Sequence, residues 1–317
     1  MIMFTRLSVH CADRMVAARS WKGPSWSSSH SAPGYSSARR RCVSAARPFA
    51  DRGRPMASTV ASPTMDRFTV TDGTDTATLT GDPEHPGVEL RRWSLDLDIA
   101  GNGTDAGNSD ERTCRMLEAA TQAVSMQGGG RLEYWIQQAG AQSDKVPTTA
   151  GFTRFRDLLR LRRQLPALKS DLATRPFTAE DATAFLAVNN AAFEWHPEQG
   201  DMTLQDLESR QSEPWYEPEG FLLHEVDGEV AGFCWTKVHD DESPALGEIY
   251  AIAVHPDHHG KGLGRALTLA GLAHLSGRGL RHAILYVESD NRPARRMYEG
   301  LGFDQEFTNR AYQRIVR

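Results

Sequence analysis

The sequence predicts a mixed α/β protein that contains two copies of one domain behind a disordered extension. Three observations support this prediction. Strand and helix patterns alternate over residues 175–317, landmarks recur at an offset of 151 residues, and residues 1–64 show no apolar period. The length of 317 residues is enough for about two domains.

The N-terminal extension is basic and rich in Ser and Arg. Residues 1–64 carry 10 Lys and Arg against 2 Asp and Glu. This composition predicts disorder and is also typical of a transit peptide. A start of the chain at Met56 or Met65 is a further interpretation. The fold prediction therefore concerns residues 65–317.

The rest of the chain is acidic, with 26 basic and 39 acidic side chains in residues 65–317. That balance argues against nucleic acid as the main partner and suits a cationic or neutral small molecule. No run of about 18 apolar residues occurs, so we expect no membrane-spanning helix. The four cysteines lie far apart, which argues against a disulfide or zinc framework and favours the cytoplasm.

An internal repeat defines the domains. A shift of 151 residues places Tyr134-Trp135-Ile136 on Leu285-Tyr286-Val287, and Gly151-Phe152 on Gly302-Phe303. The alternative is a coincidence of short patterns. We expect a degenerate, truncated first copy over 65–165, a Pro-containing linker over 166–178, and a catalytic second copy over 175–317.

The second copy gives the clearer pattern of elements. The expected order is a helix over 179–193, strands over 220–225, 229–238 and 248–254, a helix over 262–276, a strand over 283–287 and a helix over 293–299. Asp227-Gly228 is typical of a hairpin turn. A helix joins the strands 248–254 and 283–287, so we expect these two to be parallel within a mixed sheet.

A glycine-rich loop follows the strand 248–254. Gly260, Gly262 and Gly264 let the backbone approach a ligand, and the next helix begins there with its N–H groups and partial positive charge. Lys261 and Arg265 add charge. The loop is therefore suited to a pyrophosphate. The alternative is a glycine-rich connection without a ligand.

The loop resembles the acetyl-CoA pyrophosphate loop of the GCN5-related N-acetyltransferase (GNAT) family, whose pattern is Gln/Arg-x-x-Gly-x-Gly/Ala. Here His259 stands at the Gln/Arg position. The segment Tyr286–Phe303 resembles the last strand and helix of the same family. The resemblance implies tandem GNAT folds, each with a mostly antiparallel central sheet, a splayed parallel pair of strands and flanking helices.

The same resemblance implies acetyl-CoA as co-substrate and no metal. The cofactor residues expected from the motifs are Ile252, Ala253, Val254, His259, Gly260, Lys261, Gly262, Leu263, Gly264, Arg265, Asn291, Arg292, Pro293, Ala294, Arg295 and Arg296. His255, His258 and His259 form a cluster without a fourth ligand at zinc spacing, so we interpret them as loop residues near phosphates.

Several strings resemble more narrowly the mycothiol synthases, which are tandem acetyltransferases. They include Asn189-Asn190-Ala191-Ala192-Phe193, His196-Pro197-Glu198-Gln199-Gly200, Trp235-Thr236-Lys237-Val238-His239 and Gly247-Glu248-Ile249-Tyr250. The resemblance implies acetylation of the cysteinyl amine of the cysteine–glucosamine–inositol precursor of mycothiol. It also implies that Glu198, Lys237, Glu248 and Tyr286 bind this substrate.

Each of these side chains has an ordinary alternative. Glu198 and Lys237 would be solvated surface residues, and Tyr286 would be a core aromatic. Another amine, such as a protein N-terminus, a polyamine or an aminoglycoside, remains an alternative substrate, and a non-catalytic acyl-CoA sensor is an alternative of another class. We expect a monomer.

The chemistry of amine acetylation points to two further roles. The amine must lose a proton, and a carboxylate in the apolar strand 248–254 is costly unless it has a partner, so Glu248 is expected to be the base. Tyr298 is expected to protonate the departing thiolate, and main-chain N–H groups of Ile252 to Val254 to polarise the acetyl carbonyl. The alternatives are a salt-bridged strand end for Glu248 and a core aromatic for Tyr298.

The first copy lacks these features. At the 151-residue offset the loop falls on Asn108–Thr113, which has no glycine and two acids. Asn291 falls on Gly140, and Tyr298 falls on Pro147. We therefore expect this copy to support the second domain without binding a cofactor.

Overall fold

A computed structural model describes residues 66–82, 90–99, 106–194 and 200–317. The basic extension 1–64 and the predicted substrate residue Glu198 lie outside the described residues. The elements that precede the linker are β1 (Asp66–Asp72), β2 (Asp75–Gly81), β3 (Arg92–Asp98), α1 (Ala106–Met126), β4 (Gly130–Ile136), α2 (Lys145–Thr149) and β5 (Thr153–Gln164).

The remaining elements match the order predicted for the second copy, with additions. They are β6 (Arg175–Pro176), α3 (Ala182–Phe193) after a short 3-10 turn, α4 (Leu204–Gln211), β7 (Phe221–Val226), β8 (Glu229–His239), β9 (Leu246–Val254), α5 (Leu263–Gly277), β10 (His282–Glu288), α6 (Arg292–Glu299) and β11 (Asp304–Val316). Asp227 and Gly228 both have positive φ, at 54° and 84°, which confirms the predicted hairpin turn.

All strands of the described part join one mixed sheet in the order β1-β2-β3-β4-β11-β5-β10-β9-β8-β7-β6. The pairs β3–β4 and β9–β10 are parallel, and the other neighbours are antiparallel. The predicted parallel pair is therefore confirmed, and the first half contains a second pair like it.

The two halves exchange their last strands. β11 pairs with β4 of the first half, whereas β5 pairs with β10 of the second half. Ile136 lies opposite Arg310, and Val287 lies opposite Leu159. Each residue of the second pair is related to one of the first by 151 positions, so the repeat holds in the pairing register. The sequence boundary near Leu165 thus separates two copies that share strands in space.

Helices cover both faces of the sheet in the second half. α5 and α6 pack on one face, where Leu267, Leu272 and Tyr298 contact the same core as Leu285. α3 packs on the opposite face through a core that holds Phe185, Phe193 and Trp235. The second half therefore has a helical layer on each side of β8 and β9, and the residues that face each layer alternate along the strands.

The first half replaces the loop with helix. α1 already includes Ser109 to Thr113, the positions that correspond to the glycine-rich loop. α1 ends at Met126 and α5 ends at Gly277, which again differ by 151 positions. The first half thus keeps the helix and lacks the loop before it.

Candidate active site

The site is built where β9 and β10 separate. These parallel strands pair only at Gly247 with Ala283 and at Glu248 with Ile284. β3 and β4 of the first half pair at four positions, residues 92–95 with 131–134. Beyond Glu248 the second half therefore has an opening in the sheet, bordered by the last six residues of β9.

Glu248 lies at the point where the opening begins. Its side chain is 4% exposed, and its Oε2 lies 2.7 Å from Nε2 of His239 on β8. A Cβ on the preceding Gly247 would touch Leu275 of α5, so Glu248 points to the opposite face. The sequence predicts that a carboxylate at this position has a chemical role or a partner, and the structure shows that the partner is His239, which no sequence pattern indicates.

Lys237 lies beside Glu248 and is not a solvated surface residue. The two residues are direct partners in the β8–β9 register, and Lys237 is 3% exposed. Its Nζ lies 4.8 Å from the ring centre of Trp215 and 6.0 Å from that of Tyr250, within the range of cation–π contact. The strand register thus places a buried lysine directly opposite a buried glutamate.

Tyr286 lies on β10, on the same face as Glu248. Ile284 is in register with Glu248, and Tyr286 follows two residues later. Its side chain is buried and packs with Leu158 and Ile284, while its direct partner on β5 is Arg160. The strand exchange therefore brings the first copy's last strand to the edge of this site.

The amides of β9 are divided between its two edges. The N–H of His255 donates to the carbonyl of Ala231 on the β8 side, and N–H direction alternates along a strand. The N–H of Ala253 therefore faces β8, whereas those of Ile252 and Val254 face the opening. A register shift opposite Tyr250 also bends the strand next to Glu248.

The glycine-rich loop lies at the end of β9. Gly260 and Gly262 have φ of 77° and 78°, and a Cβ on either would find nothing within 4 Å. Gly262 is the N-cap of α5 and offers no side chain to its first N–H groups. The exposed Lys261 and Arg265 flank these groups. An open set of N–H donors with adjacent cations fits the pyrophosphate of acetyl-CoA.

His259, at the position of the usual Gln or Arg, bonds to the end of its own strand. Its Nε2 lies 2.9 Å from the carbonyl oxygen of Val254. Nearby, Nζ of Lys261 lies 3.4 Å from Nδ1 of His258. His259 thus contacts the backbone, and His258 contacts a lysine of the same loop. No cluster of metal-ligating side chains is found among the described residues.

The N-terminus of α6 borders the opening from the β10 side. Asn291 is the N-cap of this helix, and its side chain accepts a hydrogen bond from the N–H of Ala294 at 3.2 Å. Arg292, Pro293 and Arg296 are exposed, while the Arg295 guanidinium donates to the carbonyl of Ser289. The loop before α5 and the start of α6 therefore follow the two strands that diverge.

Tyr298 is fully buried on the α5–α6 face, 5.9 Å from the ring of Phe303. Burial, with a smaller contribution from Cys234, raises the pKa of its hydroxyl well above the usual 10. Tyr298 and Glu248 therefore lie on opposite faces of the sheet in the second half. The core position predicted as the ordinary alternative is present, and the raised pKa keeps the hydroxyl protonated.

The strand exchange also adds an ion pair that sequence analysis missed. Nε of Arg156 on β5 lies 2.5 Å from Oε1 of Glu288 at the end of β10; Arg156 is half-buried and Glu288 is buried. The guanidinium lies over the ring of Trp135, the residue that corresponds to Tyr286 in the repeat.

Comparisons with known proteins agree with this geometry. The sequence profile of the Acetyltransferase (GNAT) family matches residues 188–303. A mycothiol acetyltransferase of Streptomyces coelicolor is 44% identical over 207 residues, which are 63% of this chain and 65% of that protein. A mycothiol acetyltransferase of Thermobispora bispora is 44% identical over 202 residues, 61% of this chain and 68% of that protein. The match thus spans just under two thirds of the Streptomyces relative.

Solved structures show the same fold at low sequence identity. A GCN5-related N-acetyltransferase from Sphaerobacter thermophilus has a TM-score of 0.59 at 16% identity and covers 77% of each chain. A tandem GNAT protein from the clavulanic acid biosynthesis pathway has a TM-score of 0.55 at 16% identity, over 80% of this chain and 83% of that one. No helix in the described ranges is long and apolar enough to span a membrane.

Proposed function

Since the chain belongs to the GNAT family, in the branch of the mycothiol acetyltransferases, we propose that it acetylates the cysteinyl amine of desacetylmycothiol with acetyl-CoA. Desacetylmycothiol is the cysteine–glucosamine–inositol precursor of mycothiol. The single observation that carries the proposal is the buried Glu248, held by His239 at the opening between β9 and β10. A carboxylate in this position could contact the ammonium group of the substrate next to the thioester of acetyl-CoA.

The cofactor is proposed to lie across the opening. Its pyrophosphate would accept hydrogen bonds from the loop N–H groups of Gly260, Gly262 and Gly264, near Lys261 and Arg265. The N–H groups of Ile252 and Val254 would face its acyl arm. These donors would polarise the acetyl carbonyl and make its carbon more reactive toward the amine.

The reaction is proposed to be a direct transfer. Glu248 takes a proton from the substrate ammonium, and the free amine attacks the acetyl carbon. The new N–C bond forms as the C–S bond breaks, Tyr298 donates its proton to the leaving thiolate, and the acetylated nitrogen releases its extra proton to solvent. Glu248 then gives its proton to solvent, and Tyr298 regains one from solvent, so that one proton is released per turnover. The raised pKa of Tyr298 keeps it in the donor form at neutral pH.

A covalent acetyl-enzyme is not part of this proposal. Cys234 is fully buried, and burial raises the pKa of its thiol to about 12. A thiol in that state is a poor nucleophile. Both described cysteines, Cys114 and Cys234, are free, and we propose that the protein acts in the reducing cytoplasm.

The acceptor is proposed to lie on the α3 face of the sheet. Lys237 and Tyr286 lie there with Glu248, and the exchanged strand β5 adds Arg156 and Arg160 at its border. Charged and aromatic side chains of this kind suit a sugar–inositol substrate rich in hydroxyl groups. We propose that the first half contributes this border and binds no acetyl-CoA, because α1 replaces its loop.

The test is thiol release from acetyl-CoA by the full chain, with and without desacetylmycothiol, followed by mass spectrometry of the acceptor. Release that depends on the acceptor, with one acetyl group added to its amine, supports the proposal. Release with a polyamine, an aminoglycoside or a peptide N-terminus instead would keep the acetyl transfer and change the substrate. Cofactor binding without release on any amine would favour a sensor.

A further inference from the structure

We propose that His239 is a positioning residue that fixes the carboxylate of Glu248 for proton transfer. The inference rests on the proposed function and adds a residue to it. Nε2 of His239 lies 2.7 Å from Oε2 of Glu248, and the two side chains are 8% and 4% exposed. The hydrogen bond is therefore shielded from water, and hydrogen bonds in the protein interior are stronger than those in water.

The strand register sets this contact. His239 is the direct partner of Leu246, and Leu246 lies two residues before Glu248 on the same face of β9. His239 and Glu248 are thus diagonal neighbours in an antiparallel ladder, within reach of long side chains. Because both residues lie within strands, the backbone leaves the pair little freedom.

The hydrogen bond gives the two carboxylate oxygens of Glu248 different roles. An ionised carboxylate only accepts hydrogen bonds, so His239 donates from Nε2 to Oε2. Oε1 is left to accept the proton of the substrate ammonium. With Oε2 held, the carboxylate cannot rotate about its own axis, and Oε1 keeps one direction.

Lys237 is the charged residue directly opposite Glu248 on β8, and its Nζ lies 4.8 Å from the ring centre of Trp215. On the β10 side, the residue in register with Glu248 is the apolar Ile284. His239 on β8 is therefore the residue that donates a hydrogen bond to the carboxylate of Glu248 across the β8–β9 pair.

The expected effect follows from loss of a donor to the ionised carboxylate. A hydrogen bond to a charged group corresponds to about a 10- to 100-fold factor. Without it, we expect kcat/KM to fall by that factor, because Oε1 no longer keeps one direction toward the substrate ammonium.

Two amide variants separate loss of the hydrogen bond to Glu248 from a general loss of folded structure. His239→Gln places an amide nitrogen near the position of Nε2, whereas the amide of His239→Asn is too short to reach Glu248. We expect His239→Gln to retain most of the wild-type kcat/KM and His239→Asn to show the loss. His224 on β7 gives a control, His224→Asn, because its half-buried ring lies 2.8 Å from the carbonyl oxygen of Ala173 and outside the proposed site.

The assay measures kcat/KM for desacetylmycothiol, acetyl-CoA binding by calorimetry, and thermal unfolding. The proposal predicts equal acetyl-CoA affinity in all variants and a lower kcat/KM in His239→Asn alone, with rescue in His239→Gln. Equal kcat/KM values for His239→Asn and His239→Gln would overturn it. A wild-type chain that acetylates no precursor would instead overturn the proposed function.

A second measurement needs no change at position 239. The ¹⁵N signal of Nε2 in His239 is compared between the wild-type chain and Glu248→Gln. The proposal predicts a large change, because a carboxylate acceptor becomes an amide. An unchanged signal would show that the bond is absent in solution and would overturn the proposal, whether or not His239→Asn folds.

Discussion

Gly262 offers a test of the pyrophosphate loop whose size follows from the structure. Its φ is 78°, and a Cβ would meet nothing within 4 Å. Gly262→Ala therefore adds no clash, and its cost is the left-handed backbone alone, about 1–2 kcal/mol for a residue with a Cβ. If the free loop relieves this strain by changing shape, restoring the binding conformation weakens acetyl-CoA affinity by about 5- to 30-fold.

Gly264 is the matched control in the same loop. It lies in the first turn of α5, has no positive φ, and a Cβ would lie 3.7 Å from Sδ of Met297, an ordinary contact. Gly264→Ala should therefore keep the affinity and raise stability by up to about 1 kcal/mol through helix propensity. Calorimetry with acetyl-CoA and thermal unfolding measure both effects. Unchanged affinity in Gly262→Ala would refute the role assigned to the loop conformation.

Three further predictions concern the remaining parts of the site. Tyr298→Phe should lower kcat by about 100-fold or more while acetyl-CoA affinity changes by less than about threefold, since only a hydroxyl is lost; equal losses by kinetics and calorimetry would contradict an acid role. Because burial raises the pKa of Tyr298 well above 10, its protonated form persists as pH rises, and the wild-type kcat profile should show no alkaline limb up to about pH 9; a limb that Tyr298→Phe abolishes would contradict this. Calorimetry should give one acetyl-CoA per chain, since α1 replaces the loop of the first half; two sites of similar affinity would show that the first half binds it too.

Much of the second half follows from local pattern. The helix before β7, the hairpin at Asp227-Gly228 and the strand–loop–helix unit at Val254 all have strong periodic or turn signals. In the first half, β2 alternates Thr with Ala77 and Leu79, which are buried, and this signal could have identified the strand. The rest of the first half carries no motif comparable to the glycine-rich loop, so the sequence predicts this copy only in outline.

The strand exchange lies beyond what sequence pattern can predict. β5 and β11 are equivalent in the repeat, so each presents matching residues to β4 and to β10. Leu159 and Arg310 occupy the same place in the two copies. Which copy supplies the partner depends on the path of the linker and the final loop, and hydrophobic period carries no information on that choice.

The site shows the same division between local and long-range information. Glu248 stands out because a carboxylate in an apolar strand needs a partner. His239 does not, because its place beside Glu248 depends on the β8–β9 register, which is shifted by one residue between Trp235 and Thr236. A single bulge decides which residue of β8 faces the carboxylate, and alternation alone does not locate it.

The central claim is that the full chain transfers acetyl from acetyl-CoA to the cysteinyl amine of desacetylmycothiol, with Glu248 as base. The most direct measurement compares acceptor-dependent thiol release by the wild-type chain and by Glu248→Gln, with the product identified by mass. The account predicts monoacetylated acceptor from the wild-type chain and a loss of about 100-fold or more in Glu248→Gln. Equal rates from the two proteins, or no acetylated acceptor from the wild-type chain, would contradict it.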